Sequence, residues 1–241
     1  MIDLHCHFLP GVDDGPDTLQ EALALARVAV ADGITHSVLT SHVDPDRYDN
    51  QRSSLETAHA EFSQQLANAG IALQVRVGGE VRLCAELIDL IAQNQVPFLG
   101  EVDGWRIMLM EFPHQIIPAG SGRFIYSLLK LKIRPLIAHP ERNKAVMAQP
   151  EKIEEFTEAG CWLQITAGSL AGRFGPVAQK VAFGLIEAGN YCVAATDAHN
   201  LSSRPPLLSE GRDVLRARYG EAVANSMVHE RPAEILGLTS V

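Results

Sequence analysis

The residues of this chain that could do chemistry are histidines and carboxylates. The opening segment places His5 and His7 on either side of Cys6, and two adjacent acids, Asp13 and Asp14, follow. Further on come His42, Glu80, Glu111 and His139, and then Asp197 with His199. Imidazole nitrogens and carboxylate oxygens without thiolate suit Mn, Fe, Zn or Mg, and the donor type does not choose among them. Each residue alone has an ordinary explanation. A His-x-His dyad in a strand simply puts both rings on one face and Cys6 on the other. Glu80, after Gly78 and Gly79, could be a structural ion pair, and Glu111 closes the apolar run Met108-Leu109-Met110. What outweighs these explanations is where the residues fall relative to the elements that carry them.

Short apolar runs alternate with amphipathic segments along the chain. Strands are expected at 2–4, 34–40, 71–77, 107–110, 135–138, 161–166 and 191–195. Helices are expected at 18–32, 52–68, 85–95, 121–132, 150–159 and 176–188, with a helical tail at 208–219 and 221–228 and a turn near Ala233. Asp17-Thr18-Leu19-Gln20 reads as a capping box opening the first helix, and Gly33, Gly70, Gly160 and Gly189 act as stops. Such alternation favours a parallel sheet. His5 and His7 follow the first strand, His42 the second, Glu80 the third, Glu111 the fourth, His139 the fifth, and Asp197 and His199 the seventh. Every expected strand except the sixth therefore delivers a polar donor at the same end. Strand tips converge in a barrel, whereas an open sheet spreads them along an edge with one crevice. A barrel over residues 1–241, read as a single domain, is the expectation.

Composition limits the alternatives. The chain has 241 residues, 46% hydrophobic and 20% charged, the balance of a globular protein. A net charge of −9 counts against a nucleic-acid or anionic-membrane binder, which needs a basic face. No signal peptide and no membrane-length apolar run is read. Cys6, Cys84, Cys161 and Cys192 are scattered without a CxxC pair, as expected of reduced thiols in a cytoplasmic protein. They also exclude a cysteine-based phosphatase: where such enzymes carry their phosphate-gripping arginine, this chain has Val12, Leu90, Ala167 and Ala198. Among the remaining histidines, His36, His59 and His229 carry no assigned role, and His114 is a possible substrate contact.

The segment from Met1 to Pro16, with Thr40-Ser41-His42, Gly78-Gly79-Glu80-Val81, Leu109-Met110-Glu111-Phe112, Ala138-His139-Pro140-Glu141-Arg142, Thr196-Asp197-Ala198-His199-Asn200 and Arg204-Pro205-Pro206, resembles the polymerase-and-histidinol-phosphatase (PHP) superfamily. Within it, the chain looks like the bacterial capsule-type protein tyrosine phosphatases. The resemblance implies a distorted (β/α)7 barrel, PHP-type, with three divalent metals, usually Mn2+, at the C-terminal strand ends. It implies that His5, His7, Glu80 and Asp197 hold one metal, Glu80, Glu111 and His139 a second, and Asp14, His42 and His199 a third. Asp13 is a rival for Asp14 that only the family pattern separates. It further implies that Arg142 and Arg204 grip the phosphate, and that the partner is the phosphotyrosine tail of a bacterial tyrosine kinase of polysaccharide export.

The chemistry expected of such a site is attack on a phosphate monoester by a metal-bridging hydroxide, with the arginines on the non-bridging oxygens. No convincing general acid stands out: Asp197, His199 and His114 are candidates, the first two weakened by the ligand roles the resemblance implies. Rival readings are a small-molecule phosphatase such as histidinol-phosphatase, a metal-dependent nuclease, and a non-catalytic metal-bound barrel that docks on a partner kinase.

Overall fold

The computed structural model describes residues 1–238. Its strands are β1 (Ile2–Cys6), β2 (His36–Leu39), β3 (His42–Val43), β4 (Gln74–Val77), β5 (Glu80–Arg82), β6 (Gly100–Val102), β7 (Trp105–Glu111), β8 (Ile133–Ala138), β9 (Trp162–Thr166) and β10 (Cys192–Ala195). Its helices are α1 (Leu19–Ala31), α2 (Arg52–Asn68), α3 (Leu87–Ala92), α4 (Ser121–Lys130), α5 (Lys144–Ala148), α6 (Glu154–Glu158), α7 (Ala167–Leu170), α8 (Gly175–Glu187), α9 (Leu208–Tyr219), α10 (Glu221–Asn225) and α11 (Arg231–Ile235). Single 3-10 turns lie at Pro140–Arg142 and Pro150–Ile153, and a π segment at Ser226–Glu230.

The expected βα alternation is present, with local corrections. The capping box sits one residue later than the sequence suggests: Thr18 is the N-cap, and Glu21 returns the hydrogen bond to it. The second and third expected strands contract to β2 and β4, and each is followed, after a two-residue break, by a short strand that was not expected, β3 and β5. The first break, between β2 and β3, falls at Thr40-Ser41, and the second, between β4 and β5, at Gly78-Gly79. The glycines are needed there by contact. A Cβ on Gly78 would press on Val38 and Leu99, and one on Gly79 on Pro97 and Val43. The helix expected at 85–95 contracts to α3, and that at 150–159 is a 3-10 turn followed by α6. β6, not expected, pairs antiparallel with β7 through the turn Asp103-Gly104. Both turn residues have positive φ, 51° and 75°, as a two-residue hairpin turn demands.

The strands form two hydrogen-bonded sheets, β1-β2-β4 and β10-β9-β8-β7-β5-β3, all parallel apart from β6. The strand breaks divide the ladder, because β2 and β4 lie in one sheet and their continuations β3 and β5 in the other. At the remaining gap the backbone bridges the first and last strands: Asp197 N donates to His5 O and His7 N to Ala198 O, both at 2.8 Å. The result is a distorted barrel.

Two apolar cores follow from strand alternation. One lies between strands and helices and includes Cys6, Leu39, Met108, Met110, Leu163, Ile165 and Ala194. The other fills the interior with Ile2, Leu4, Val38, Ile107, Leu109, Leu136 and Val193. Alternation then places Gln164 and Thr166 of β9, and Glu111 at the end of β7, on the interior side. The N-terminal strand ends are closed by Trp105, Trp162 and Tyr191, and by Ile235 and Leu236 at the C-terminal end of α11. Among the described residues no helix is long and apolar enough to cross a membrane.

Candidate metal centre

The C-terminal strand ends gather the residues singled out in the sequence. β1 supplies His5, and His7 follows it directly; both are fully buried. His42 opens β3 and Glu80 opens β5, in register with each other. Glu111 ends β7, and His139, Asp197 and His199 follow β8 and β10 directly.

Donor atoms converge closely. His5 Nε2 lies 3.2 Å from Asp197 Oδ1 and 3.3 Å from Glu80 Oε2. His7 Nε2 is 3.4 Å from Glu80 Oε2. His42 Nδ1 is 3.1 Å from Glu80 Oε2, and its Nε2 is 3.2 Å from Asp14 Oδ1. His199 Nε2 is 3.3 Å from the same Asp14 oxygen. His139 Nε2 stands 2.8 Å from Glu80 Oε1 and 3.9 Å from Glu111 Oε1. Three groups have all their donor atoms within 4.8 Å of one another: His5, His7, Glu80 and Asp197; His7, Asp14, His42 and His199; and His42, Glu80 and Glu111. Here His42, rather than the expected His139, completes the group with Glu80 and Glu111, while His139 stays in contact with Glu80.

This donor set fits divalent cations. Asp14 Oδ1, Glu80 Oε2 and His199 Nε2 are buried and have no hydrogen-bond partner among the described residues. His5 Nε2 and His7 Nε2 face each other at 3.2 Å. Buried polar atoms of native proteins are otherwise almost always satisfied, and a cation satisfies several at once.

The outer atoms of the same rings are held by hydrogen bonds. Asp13 Oδ2 accepts from His7 Nδ1 at 2.8 Å and from His42 N at 3.0 Å. Asp13 therefore stands behind the rings and Asp14 among the donors, a division the sequence left open. Gln164 Oε1 meets His5 Nδ1 at 2.9 Å, and the His199 ring bonds Asp197 O. Two backbone positions are strained to aim their side chains: His139 and Asp197 have φ of 31° and 53° without being glycine.

Charge at the site is strongly coupled. Burial opposes ionisation of Glu80, but His5, His42 and His139 outweigh it and hold its carboxyl well below the usual range. Burial likewise opposes ionisation of Asp197, which Arg142 and His5 hold well below the usual range. Despite the cost of burial, Asp13 keeps His7 protonated well above its ordinary range in the cation-free cluster. Burial, then His7, push His199 down to about 4.

Arg142 and Arg204 sit beside the cluster. Arg142 donates to Asp197 Oδ2 and lies 4.3 Å above the Phe174 ring. Arg204 Nη2 is 3.5 Å from Asp14 Oδ2, and its Nη1 is 4.0 Å from Asp197 Oδ2. Both line a cavity of about 220 Å3 together with Asp44, Arg47, Tyr48, Arg82 and His114. The sequence reading missed Arg47, Tyr48 and Arg82. Arg82 donates to Glu111 Oε2 at 2.7 Å, and Tyr48 stacks on His42 at 5.5 Å. A larger cavity, about 650 Å3 between α5 and α8, holds none of the clustered donors. The four cysteines stand apart from the chemistry. Burial pushes Cys161 and Cys192 up to about 12, and Cys6 well above the ordinary thiol range.

A parallel α/β barrel with buried histidines and carboxylates at its C-terminal strand ends is the framework of a metal-dependent hydrolase. The family described as "Capsular polysaccharide synthesis, CpsB/CapC" matches residues 1–237, and the chain belongs to that family. It is 34% identical over 220 residues to the tyrosine-protein phosphatase YwqE of Bacillus subtilis, spanning 91% of this chain and 85% of that one. It is 28% identical to the tyrosine-protein phosphatase CpsB of Streptococcus agalactiae, spanning 98% of both. Among solved structures, one from the study of YwqE from Bacillus subtilis and CpsB from Streptococcus pneumoniae, described as unique metal-dependent tyrosine phosphatases, matches at a TM-score of 0.91. It has 31% identity and spans 100% of this chain and 96% of that one. The fold is thereby that of the PHP-type phosphatases.

Proposed function

We propose that this chain is a metal-dependent protein tyrosine phosphatase that acts as one catalytic unit on the phosphotyrosine tail of a tyrosine kinase of capsule or exopolysaccharide synthesis. The observation that carries the reading is the position of Arg142 and Arg204, both leaning on Asp197 at the edge of the donor cluster. His5, His7, Asp14, His42, Glu80, Glu111, His139, Asp197 and His199 would hold three divalent cations, with Mn2+ first among them. Bound there, the cations supply Lewis acidity and an acidified water as nucleophile. The guanidinium groups bind the phosphoryl oxygens, and their planar forks suit that geometry. Approach of a phosphate dianion draws both arginines from their carboxylates without moving the backbone.

The size of the cavity and the protonation of its walls narrow the substrate. About 220 Å3 is below the usual range for a whole small-molecule ligand. It takes the phosphoryl head and leaves the rest of the substrate at the rim, as a protein tail requires. No possible general acid identified from the sequence is protonated at neutral pH. Arg142 holds Asp197 ionised, His199 is near 4, and burial and Arg142 lower His114. A leaving group that needs little help is then favoured, and a phenolate leaves more readily than an alkoxide. The family match and the phosphatase relatives support the same reading.

The test compares kcat/KM on a phosphotyrosine peptide, a phosphoserine peptide and histidinol phosphate, with metals quantified in the same sample. The phosphotyrosine peptide is expected to win. A tenfold advantage for histidinol phosphate moves the assignment to a small-molecule phosphatase, and no turnover by metal-loaded protein leaves a docking barrel.

A further inference from the structure

β9 brings no histidine or carboxylate to the cluster. It brings Gln164, fully buried, between Trp162 and Thr166 on the interior side. Its Oε1 has two neighbours. One is the backbone nitrogen of His139 at 3.1 Å, and the other is His5 Nδ1 at 2.9 Å. A backbone N–H can only donate, so the amide must turn its oxygen toward this pair. That oxygen can only accept, so His5 carries its proton on Nδ1. The lone pair of His5 is thereby placed on Nε2, the atom that faces Glu80, Asp197 and His7.

We propose that Gln164 is a positioning residue of the metal centre: its single carbonyl oxygen selects the His5 tautomer that can bind a cation and anchors the strained backbone of His139. His139, at φ 31°, precedes Pro140, which has no N–H, and its own N–H ties the start of this turn to Gln164. The amide nitrogen of Gln164 has no partner among the described residues. A leucine of similar size would avoid burying it, so a role in packing alone does not account for the residue. Asp13 performs the matching task for His7 as an anion. Gln164 does it without charge, which adds no further negative charge behind Glu80 and Asp197. Partners that orient ligating histidines from behind commonly matter ten- to a hundred-fold in metal affinity.

This inference rests on reading the cluster as a metal centre, and the test separates the two. Histidine 15N shifts of metal-stripped wild type, taken at a pH where His5 is neutral, should show its single proton on Nδ1; a neutral ring with that proton on Nε2 overturns the proposal. Titration calorimetry with Mn2+ should show binding weakened about ten- to a hundred-fold in Gln164→Leu. Gln164→Glu, which keeps an acceptor, should retain the His5 tautomer, and this variant carries the test if the leucine variant does not fold. Unchanged Mn2+ affinity and tautomer in folded Gln164→Leu would refute the role, as would loss of the tautomer in folded Gln164→Glu. Wild type that binds no Mn2+ would instead remove the metal reading itself.

Discussion

The two ends of the barrel are built from opposite materials. At the C-terminal strand ends, histidines and carboxylates are buried at contact distance, some of their polar atoms unpaired. At the N-terminal ends, cations and aromatic rings alternate. Lys132 Nζ lies 4.4 Å from the Trp105 ring, and Arg134 sits between Trp105 and Trp162 at 4.7 and 4.6 Å. Trp162 stacks on Tyr191 at 3.9 Å, and Arg231 covers Tyr191 at 4.6 Å. Arg231 also donates to Cys192 O, and Arg76 to Leu236 O. One end leaves interactions open for an ion and a substrate. The other end is sealed by stacking and cation–π contacts, although Arg134 Nε has no hydrogen-bond partner among the described residues. On β7 one strand does both: it begins with Trp105, which meets Lys132 and Arg134, and ends with Glu111 of the donor cluster.

The sharpest test of this contrast is a substitution at each end. Glu80→Ala removes the carboxylate that touches His5, His7, His42 and His139. Activity is expected to fall roughly 10²–10³-fold, the loss typical of removing one electrostatic stabiliser, with fewer metals by elemental analysis. Trp162→Ala at the sealed end should cost about 2–3 kcal/mol in a urea melt, less than the ~3–5 kcal/mol of a fully buried tryptophan. Its metal content and kcat/KM should stay at the wild-type level. Equal loss of metal in both variants would erase the division.

Arg204→Ala asks how far the active end extends. Loss of a charge-assisted hydrogen bond is worth about 1.5–3 kcal/mol, so kcat/KM should drop roughly ten- to a hundred-fold while the metals remain. Unchanged kinetics would return Arg204 to the surface.

A smaller effect is expected from pH. In the cation-free cluster Asp13 and Glu80 raise His7, and Glu80 and Asp197 raise His5, in both cases against burial. Raised histidines hold protons that a cation must displace. Mn2+ affinity should therefore fall as pH drops and recover as it rises, with proton uptake by the buffer seen on varying buffer ionisation enthalpy. A pH-independent affinity would contradict the donor assignment to these rings.

Much of this was legible in the sequence, and the omissions have physical reasons. Ligand-type residues announce themselves because histidine and carboxylate are out of place after apolar strands. The βα alternation and the parallel sheet followed from periodicity. β6 was overlooked although Asp103-Gly104 carries a hairpin signal, because the flanking run Gly100-Glu101-Val102 is short and half polar. The breaks at Thr40-Ser41 and Gly78-Gly79 depend on neighbours far along the chain, which no local pattern encodes. Asp13 and Asp14 have the same chemistry, and only the fold decides which faces the rings. Gln164 gave no signal: it is uncharged and lies in a run that reads as an ordinary buried strand.

The bridge between the first and last strands has a consequence for synthesis. His5 and His7 are synthesised well before the later members of the cluster, and β1 finds its neighbour β2 soon after. The backbone partners of His5 and His7 across the seam, Asp197 and Ala198, appear only some 190 residues later. Contacts of such sequence separation form late and slowly. A nascent chain halted before that point can build its early helices and most of its strands, yet it cannot assemble the donor cluster. A polypeptide halted short of those residues therefore lacks Asp197 and His199, and without them two of the three donor groups remain incomplete.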